Sequence, residues 1–211
     1  MMIFDDISLA LQKGRKKDVE ALVQQAIDEK LSVKDILNKG LLAGMDIVGE
    51  KFKNNELYVP DVLVAARAMN AGTALIKPLL AEAGVESIGK VVIGTVLGDL
   101  HDIGKNLVKM MMEGKGFEVI DLGVNVSAEQ FVQGAIDNNA GIIACSALLT
   151  TTMGEMANVV KVATEKGVRD KLTIMVGGAP VNESYKKSIG ADIYTPDAAS
   201  AAEQAAKTVK H

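Results

Sequence analysis

Tryptophan is absent from this 211-residue chain, and phenylalanine and tyrosine number only four and three. A core of stacked aromatics is therefore excluded, and the interior must be built from Ala, Val, Ile, Leu and Met. A single cysteine, Cys145, excludes an internal disulfide and fits a reducing compartment. Histidine occurs twice, and one of the two, His211, is the last residue. A zinc site of several imidazoles and thiolates is thus ruled out. An excess of positive charge is also missing. Lys and Arg total 23 against 27 Asp and Glu, a net charge of −4, so the electrostatic footprint of a nucleic-acid binder is absent. No apolar run approaches the ~20 residues that span a bilayer. The start, MMIFDDISLALQKGRKK, puts acids ahead of its apolar residues, unlike a secretory leader. These absences predict a cytoplasmic protein with neither nucleic acid nor membrane as partner.

What is present is a hydrophobic content of 48%, arranged with two different periods. Residues 1–86 read as helical. Val19, Leu22, Val23, Ala26, Ile27 and Leu31 recur at three- and four-residue steps, as do Leu37, Leu41, Met45, Val48 and Phe52. Ser32 ahead of Asp35 is a start signal, Asn54-Asn55 is a break, and Pro60 suits the first turn of the next helix. Val62, Ala66, Met69, Ile76 and Leu80 continue the spacing. Four helices with short loops predict a small bundle. Residues 84–89 read as a linker, and the second domain is expected over 89–211. There, strands are predicted at 91–97, 118–122, 141–145, 172–176 and 192–194. Helices are predicted at 105–115, 127–138, 152–166, 182–189 and 197–210, with Ser127 to Gln130 forming a capping box. Five apolar strands alternating with helices imply an α/β fold, a parallel five-stranded sheet covered on both faces. Ligands bind such sheets beyond the carboxyl ends of the strands.

One loop at that edge stands out. Gly98-Asp99-Leu100-His101-Asp102-Ile103-Gly104 follows the first strand and carries the only internal histidine. His101 can serve as a metal ligand, a general base or a loop residue without chemistry. Its context favours the ligand. Gly98 and Gly104 allow a tight turn and close approach, and Asp99 can bond one ring nitrogen while the other stays free for a metal. A metal held by one protein ligand must bring its other ligands with it, and a corrin does so by giving cobalt four nitrogens. After the third strand, Ser146-Ala147-Leu148-Leu149-Thr150-Thr151-Thr152 supplies hydroxyls on the same edge, or an ordinary turn with a helix cap. After the fourth, Gly177-Gly178-Ala179-Pro180 leaves room for a large ligand, or is an ordinary turn. Neither G-x-G-x-x-G nor a P-loop is present. Cys145, inside an apolar run, is expected to be a buried, inert thiol. Met110–Met112 are expected in the core, and Asp102 and Lys105 are expected to face solvent or cap the following helix.

Nearly the whole chain resembles the small corrinoid proteins of cobalamin-dependent methyltransferase systems, and is similar to the cobalamin-binding module of methionine synthase. The resemblance rests on GDLHDIGKNLV at 98–108, EVIDLGVNVSAEQFV at 118–132, SALLTTTM at 146–153 and GGAP at 177–180. It also rests on VGEKFKNNELYVPDVLVAARAM at 48–69, which looks like the helical cap preceding the cobalamin domain. The resemblance implies a four-helix cap followed by a Rossmann-like or flavodoxin-like domain, with cobalamin or a related corrinoid bound base-off. His101 would then be the cobalt's lower ligand and Asp99 its hydrogen-bond partner, with Ser146, Thr150 or Thr152 completing the relay. Gly98, Asp102, Ile103, Gly104, Leu148, Gly177, Gly178 and Ala179 would contact the cofactor, and Phe52 and Val59 would cover its upper face. The implied role is to carry a methyl group, between methylcob(III)alamin and cob(I)alamin, from a substrate-specific methyltransferase to an acceptor methyltransferase. A reductive activation protein is the third implied partner. The chain itself is expected to catalyse little.

Three other readings fit less well. A cobalamin-dependent regulator needs an output module, for which the assigned chain leaves no place. A receiver-like domain needs an acidic cluster with a phosphoacceptor, which Asp99 and Asp102 match weakly, and leaves the helical half unexplained. A mutase subunit shares D-x-H-x-x-G but lacks the helical cap.

Overall fold

A computed structural model describes residues 3–209. Its contacts divide the chain into two compact units. One runs to Ser87 and takes in Gly114–Gly116; the other comprises Ile88–Glu113 and the chain from Phe117 onward.

The first unit is helical. α1 (Ile3–Gln12) and α2 (Lys16–Asp28) are followed by one uninterrupted helical run made of α3 (Val33–Asp35), a π-helical segment (Ile36–Leu42) and α4 (Ala43–Lys53). α5 (Val59–Glu82) closes the unit. Ser32 caps the long run by accepting from the Asp35 amide, and Asn55, at φ 60°, lies just past its end. Pro60 sits in the first turn of α5, where its missing N–H costs nothing. The π-helical segment departs from the expected continuous α-helix. It moves the buried face to Ile36, Gly40 and Leu41, and leaves Leu37 half-buried. Ile7 and Ser8 of α1 crowd Gly40 and Gly44, so the close approach of α1 fixes where the wide turn lies.

The second unit alternates strand and helix: β1 (Lys90–Thr95), α6 (Ile103–Gly114), β2 (Glu118–Asp121), α7 (Ala128–Asn138), β3 (Ile142–Ser146), α8 (Glu155–Glu165), a 3-10 turn (Arg169–Lys171), β4 (Thr173–Gly177), α9 (Glu183–Ile189), β5 (Ile193–Tyr194) and α10 (Ala198–Thr208). Lys210, the expected end of the last helix, lies outside the described residues. All pairings are parallel and the order is β2-β1-β3-β4-β5, as in flavodoxin-like sheets. The register Val92–Ile143–Ile174 and Gly94–Cys145–Val176 lines up one buried face. α7 and α8 cover that face with Phe131, Val132, Met156 and Val159. Phe131 is fully buried despite the scarcity of aromatics, and Gly94 leaves the space that its ring occupies. The alternate residues Val91, Ile93, Ile142, Ala144 and Met175 are buried too, so both faces are covered and the strands read as unbroken apolar runs.

β1 and β3 are neighbours whose following helices belong to opposite crossovers. Their carboxyl ends therefore mark the switch point where the sheet opens a crevice. The loops at 96–102 and 147–154 meet there.

Candidate functional site

Asp99 is the centre of the crevice. It has no solvent exposure and is surrounded by hydrogen-bonding groups from two loops. Oδ1 accepts from the His101 amide at 3.0 Å and contacts His101 Nδ1 at 2.7 Å. Oδ2 accepts from the Leu148 amide at 2.8 Å, from the Leu149 amide at 3.3 Å and from the Thr152 hydroxyl at 2.9 Å. Burial alone would raise the pKa of this carboxyl. The amides of Leu148 and His101, with the imidazole and the Thr152 hydroxyl, outweigh burial and hold it well below the ordinary carboxylate range. Asp99 is therefore ionised and can only accept, so the 2.7 Å contact requires the proton on His101 Nδ1. In a neutral ring, Nε2 then carries a lone pair. The ring is 52% exposed, in contrast to the buried carboxylate that holds it.

Of the three hydroxyls proposed for the relay, Thr152 is the one bonded to Asp99. Ser146 ends β3, half-buried, and Thr150 is exposed in the following turn. Met153, next to Thr152, accepts from the Tyr185 hydroxyl at 2.6 Å, which ties this turn to α9. Leu148 contributes its amide to Asp99, while its side chain is 45% exposed.

The loop itself is pinned at three places. Gly98, at φ 80°, donates to Asn125 Oδ1 at 2.8 Å. The Asn125 amide donates to the Asp99 carbonyl at 3.0 Å. The Thr95 hydroxyl, fully buried, donates to the His101 carbonyl at 2.9 Å. Asp102 is exposed and its carbonyl starts α6 by accepting from the Asn106 amide, which matches the expected cap.

Lys105 does not face solvent. Its side chain is 3% exposed and its ammonium meets both oxygens of Asp121 at 2.6 and 2.7 Å. Asp121 also accepts from the Gly123 amide at 2.9 Å. Burial works to raise the Asp121 pKa, but Lys105, the Gly123 amide and Lys109 together lower it. A lysine stem is long enough to cross the apolar flank of α6 and deliver its charge to the end of β2. Cys145 is buried, and burial pushes its thiol far up, so it is inert as expected.

The glycines separate into two kinds. Gly178 sits at φ 121°, and a Cβ there would run into the Ala147 carbonyl, so the fold requires a glycine. A Cβ on Gly104 would meet nothing within 4 Å, and one on Gly177 would meet only the Thr195 carbonyl at 3.9 Å. Gly104 lies in the first turn of α6 with ordinary backbone angles, where glycine costs a helix up to ~1 kcal/mol relative to alanine. Neither a packing contact nor a left-handed backbone requires a glycine at this position. Ala179 is exposed beside Gly178. Leu100 and Ile103 are 71% and 75% exposed next to His101, with Leu97 and Leu149 exposed on the same rim. This apolar rim around a polar centre suits a broad, partly apolar ligand.

No group of three or more His, Cys, Asp or Glu side chains capable of holding a metal exists among the described residues. A metal here would have His101 Nε2 as its protein ligand and would bring the rest. The lone imidazole, the exposed apolar rim and the unfilled space over Gly104 fit a cobalt corrinoid. Phe52 lies at the end of α4 and Val59 begins α5; both belong to the helical unit and are half-buried there.

Thr95 and Asn125 were not singled out from the sequence, and Lys105 was expected in solvent or as a helix cap. Thr95 reads as one more β-branched strand residue. Asn125, left-handed at φ 56°, lies 26 positions from Asp99. The only advance signal is the Asp and Asn flanking Leu122–Val124 at the end of an apolar strand.

Comparison with known proteins bears directly on this site. A B12 binding domain model matches residues 89–206, and a second B12 binding domain model matches residues 3–77. A corrinoid protein of Desulfitobacterium hafniense is 41% identical over 210 residues, covering 98% of this chain and 97% of its own length. The dimethylamine corrinoid protein of Methanosarcina barkeri is 41% identical over 204 residues, covering 96% and 95%. Among solved structures, a chain of the methanol:cobalamin methyltransferase complex MtaBC of Methanosarcina barkeri superimposes with a TM-score of 0.89 at 29% identity, covering 98% of this chain and 79% of that one.

Proposed function

The chain belongs to the corrinoid proteins of methyltransferase systems, built from B12 binding domains, and on that premise we propose that it carries a methyl group on cobalt between two partner enzymes. The donor side is a substrate:corrinoid methyltransferase, as in the complex that MtaBC names. The acceptor side is a second methyltransferase using tetrahydrofolate or coenzyme M, and a reductive activation protein serves the same carrier.

The observation that carries this reading is the Asp99–His101 pair. When bound, the corrinoid supplies a cobalt centre able to accept and release a methyl group. The chain supplies everything around it. Asp99 keeps the Nδ1 proton in place and so leaves Nε2 as the ligating atom. Thr152 and the Leu148 amide donate to the far oxygen of Asp99 and stabilise its buried charge. Gly104, Gly177 and Ala179 leave space for the body and tail of the cofactor, with Ser146 and Thr150 as polar neighbours, while Gly178 lets the chain pass close to the Ala147 carbonyl beside them. Gly98, Asp102, Ile103 and Leu148 form the rim. No residue of this network is a nucleophile or an acid–base group aimed at a substrate, so the carrier is expected to transfer no methyl group without a partner.

The test is reconstitution with hydroxocobalamin, desalting and ultraviolet–visible spectroscopy beside His101→Ala. Retained cobalamin with a base-off, histidine-ligated spectrum, lost in the variant, is the expected result. A wild-type chain that keeps no cobalamin, or transfers methyl groups unaided, overturns the reading.

A further inference from the structure

We propose that Thr95 is a positioning residue for the His101 ligand, acting through a hydrogen bond to the ligand's own main chain, with Asn125 holding the opposite end of the loop. The proposal rests on the corrinoid reading above and adds to it a pair of residues that act on the main chain of the His101 loop.

Thr95 is the last residue of β1 and is itself immobilised. Its amide donates to the Gly123 carbonyl at 2.9 Å, and its carbonyl accepts from the Val126 amide at 2.9 Å. With its main chain locked by the segment after β2 and its side chain fully buried, the hydroxyl has a fixed position. It donates to the His101 carbonyl at 2.9 Å. That carbonyl has no helical partner. The first bond of α6 runs from the Asn106 amide to the Asp102 carbonyl, one residue further on. At the other end, Asn125 brackets the turn twice, accepting from the Gly98 amide and donating to the Asp99 carbonyl.

Asp99 holds the imidazole through Nδ1 and also accepts from the His101 amide, while Thr95 holds the opposite side of the same residue, its carbonyl. The anchor at the carbonyl does not pass through the carboxylate that grips the ring. A ligand that keeps its place while its ring adjusts needs a backbone hold independent of that carboxylate, and Thr95 supplies it. A threonine placed only to fill space would be replaceable by valine, which has the same shape without the hydroxyl.

The experiment uses the full chain loaded with hydroxocobalamin and reduced to cobalt(II), in wild type, Thr95→Val, Thr95→Ser and His101→Ala. The readout is the fraction of cobalt showing axial-nitrogen splitting in its paramagnetic resonance spectrum. His101→Ala sets the zero. Thr95→Val is expected to retain cobalamin while its ratio of ligated to unligated histidine falls about tenfold, on the scale of one lost hydrogen bond. Thr95→Ser, which keeps the hydroxyl, is expected to stay within about twofold of wild type. If Thr95→Val does not fold, Asn125→Gly reads the same loop from its other end. It keeps the left-handed backbone, removes the acceptor of the Gly98 amide and is expected to lower the ratio in the same direction. A folded Thr95→Val with wild-type ligation, or an Asn125→Gly that shifts nothing, overturns the proposal and leaves the corrinoid reading intact. A wild type no different from His101→Ala overturns the corrinoid reading itself.

Discussion

Replacing Asp99 by asparagine keeps the shape of the buried side chain and removes its charge, and the geometry dictates which way the new amide turns. With its oxygen towards His101, the amide keeps the His101 N–H and Nδ1–H bonds. It then turns its NH2 against the Leu148 and Leu149 amides, now 2.8 and 3.3 Å from a donor. With its oxygen towards Leu148, it keeps that bond and the bond from Thr152 and loses the His101 amide at 3.0 Å. In this second orientation Nδ1 can adapt by giving up its proton and accepting from the NH2, whereas a backbone amide cannot change its role. The first orientation forfeits two backbone bonds and the second only one, so the second wins. The predicted cost is one bond to a charged acceptor, about 1.5–3 kcal/mol of folding stability. That is survivable for a domain of ordinary stability, roughly 5–15 kcal/mol. The larger consequence is chemical: the ring proton moves to Nε2, the atom proposed above to ligate cobalt. Urea denaturation gives the first quantity, and nitrogen NMR of the histidine ring gives the second. A variant whose His101 keeps its proton on Nδ1, or whose stability falls by less than ~0.5 kcal/mol, refutes the reasoning.

Three further outcomes follow from the same structure. Gly178→Ala meets both a left-handed φ of 121° and the Ala147 carbonyl, so it should destabilise the chain by ~2 kcal/mol or more in the same denaturation assay. Gly104→Ala should do the opposite, gaining up to ~1 kcal/mol in the cofactor-free chain, since a Cβ there meets nothing within 4 Å; it should nevertheless weaken hydroxocobalamin retention on desalting. Lys105→Met removes the main partner of Asp121 and should cost ~2 kcal/mol near neutral pH, below the full value for a buried pair because Asp121 is 23% exposed. The folded-state pKa of Asp121 is lowered, so its stabilisation is present above the unfolded value near ~3.9 and is lost as pH falls through the folded value. The gap between wild type and Lys105→Met should therefore narrow below about pH 4, and a gap that stays constant with pH would assign the loss to packing.

The centre of the sheet was legible because β1, β3 and β4 are buried on both faces. Val91–Val96 and Ile142–Cys145 are continuous apolar runs, and a continuous run marks a strand whatever its register. The helical unit was legible in outline only. The 3.6-residue period places Leu37 on the buried face, but a π turn spends extra residues and advances that face, and what fixes its position is α1 packed against Gly40, a contact more than thirty residues away in sequence. At the site, D-x-H-x-x-G was legible as a motif because all its members lie within six residues. Its support was not. Lys105 finds Asp121 across 16 positions, Asn125 finds Gly98 across 27, and Thr152 finds Asp99 across 53.

That division has a physical basis. Chemistry requires the reacting atom to be specified locally, by a residue type and its neighbour in the chain, and this is why a lone histidine with an aspartate two places earlier already points to a ligand. Holding that atom still is a different requirement, because a seven-residue loop cannot stabilise its own conformation without partners from elsewhere. The parallel sheet provides them. By placing β1 beside β3 and β2, it brings the 147–152 turn to the carboxylate of Asp99 and the segment after β2 to Gly98. Thr95 is the extreme case, since it is only six residues from His101 yet invisible as a functional residue. Its hydroxyl matters only because the strand buries it and the segment after β2 locks its backbone. A buried threonine at the end of the strand that feeds a ligand loop is thus a feature to seek wherever a single histidine must both hold and release a metal.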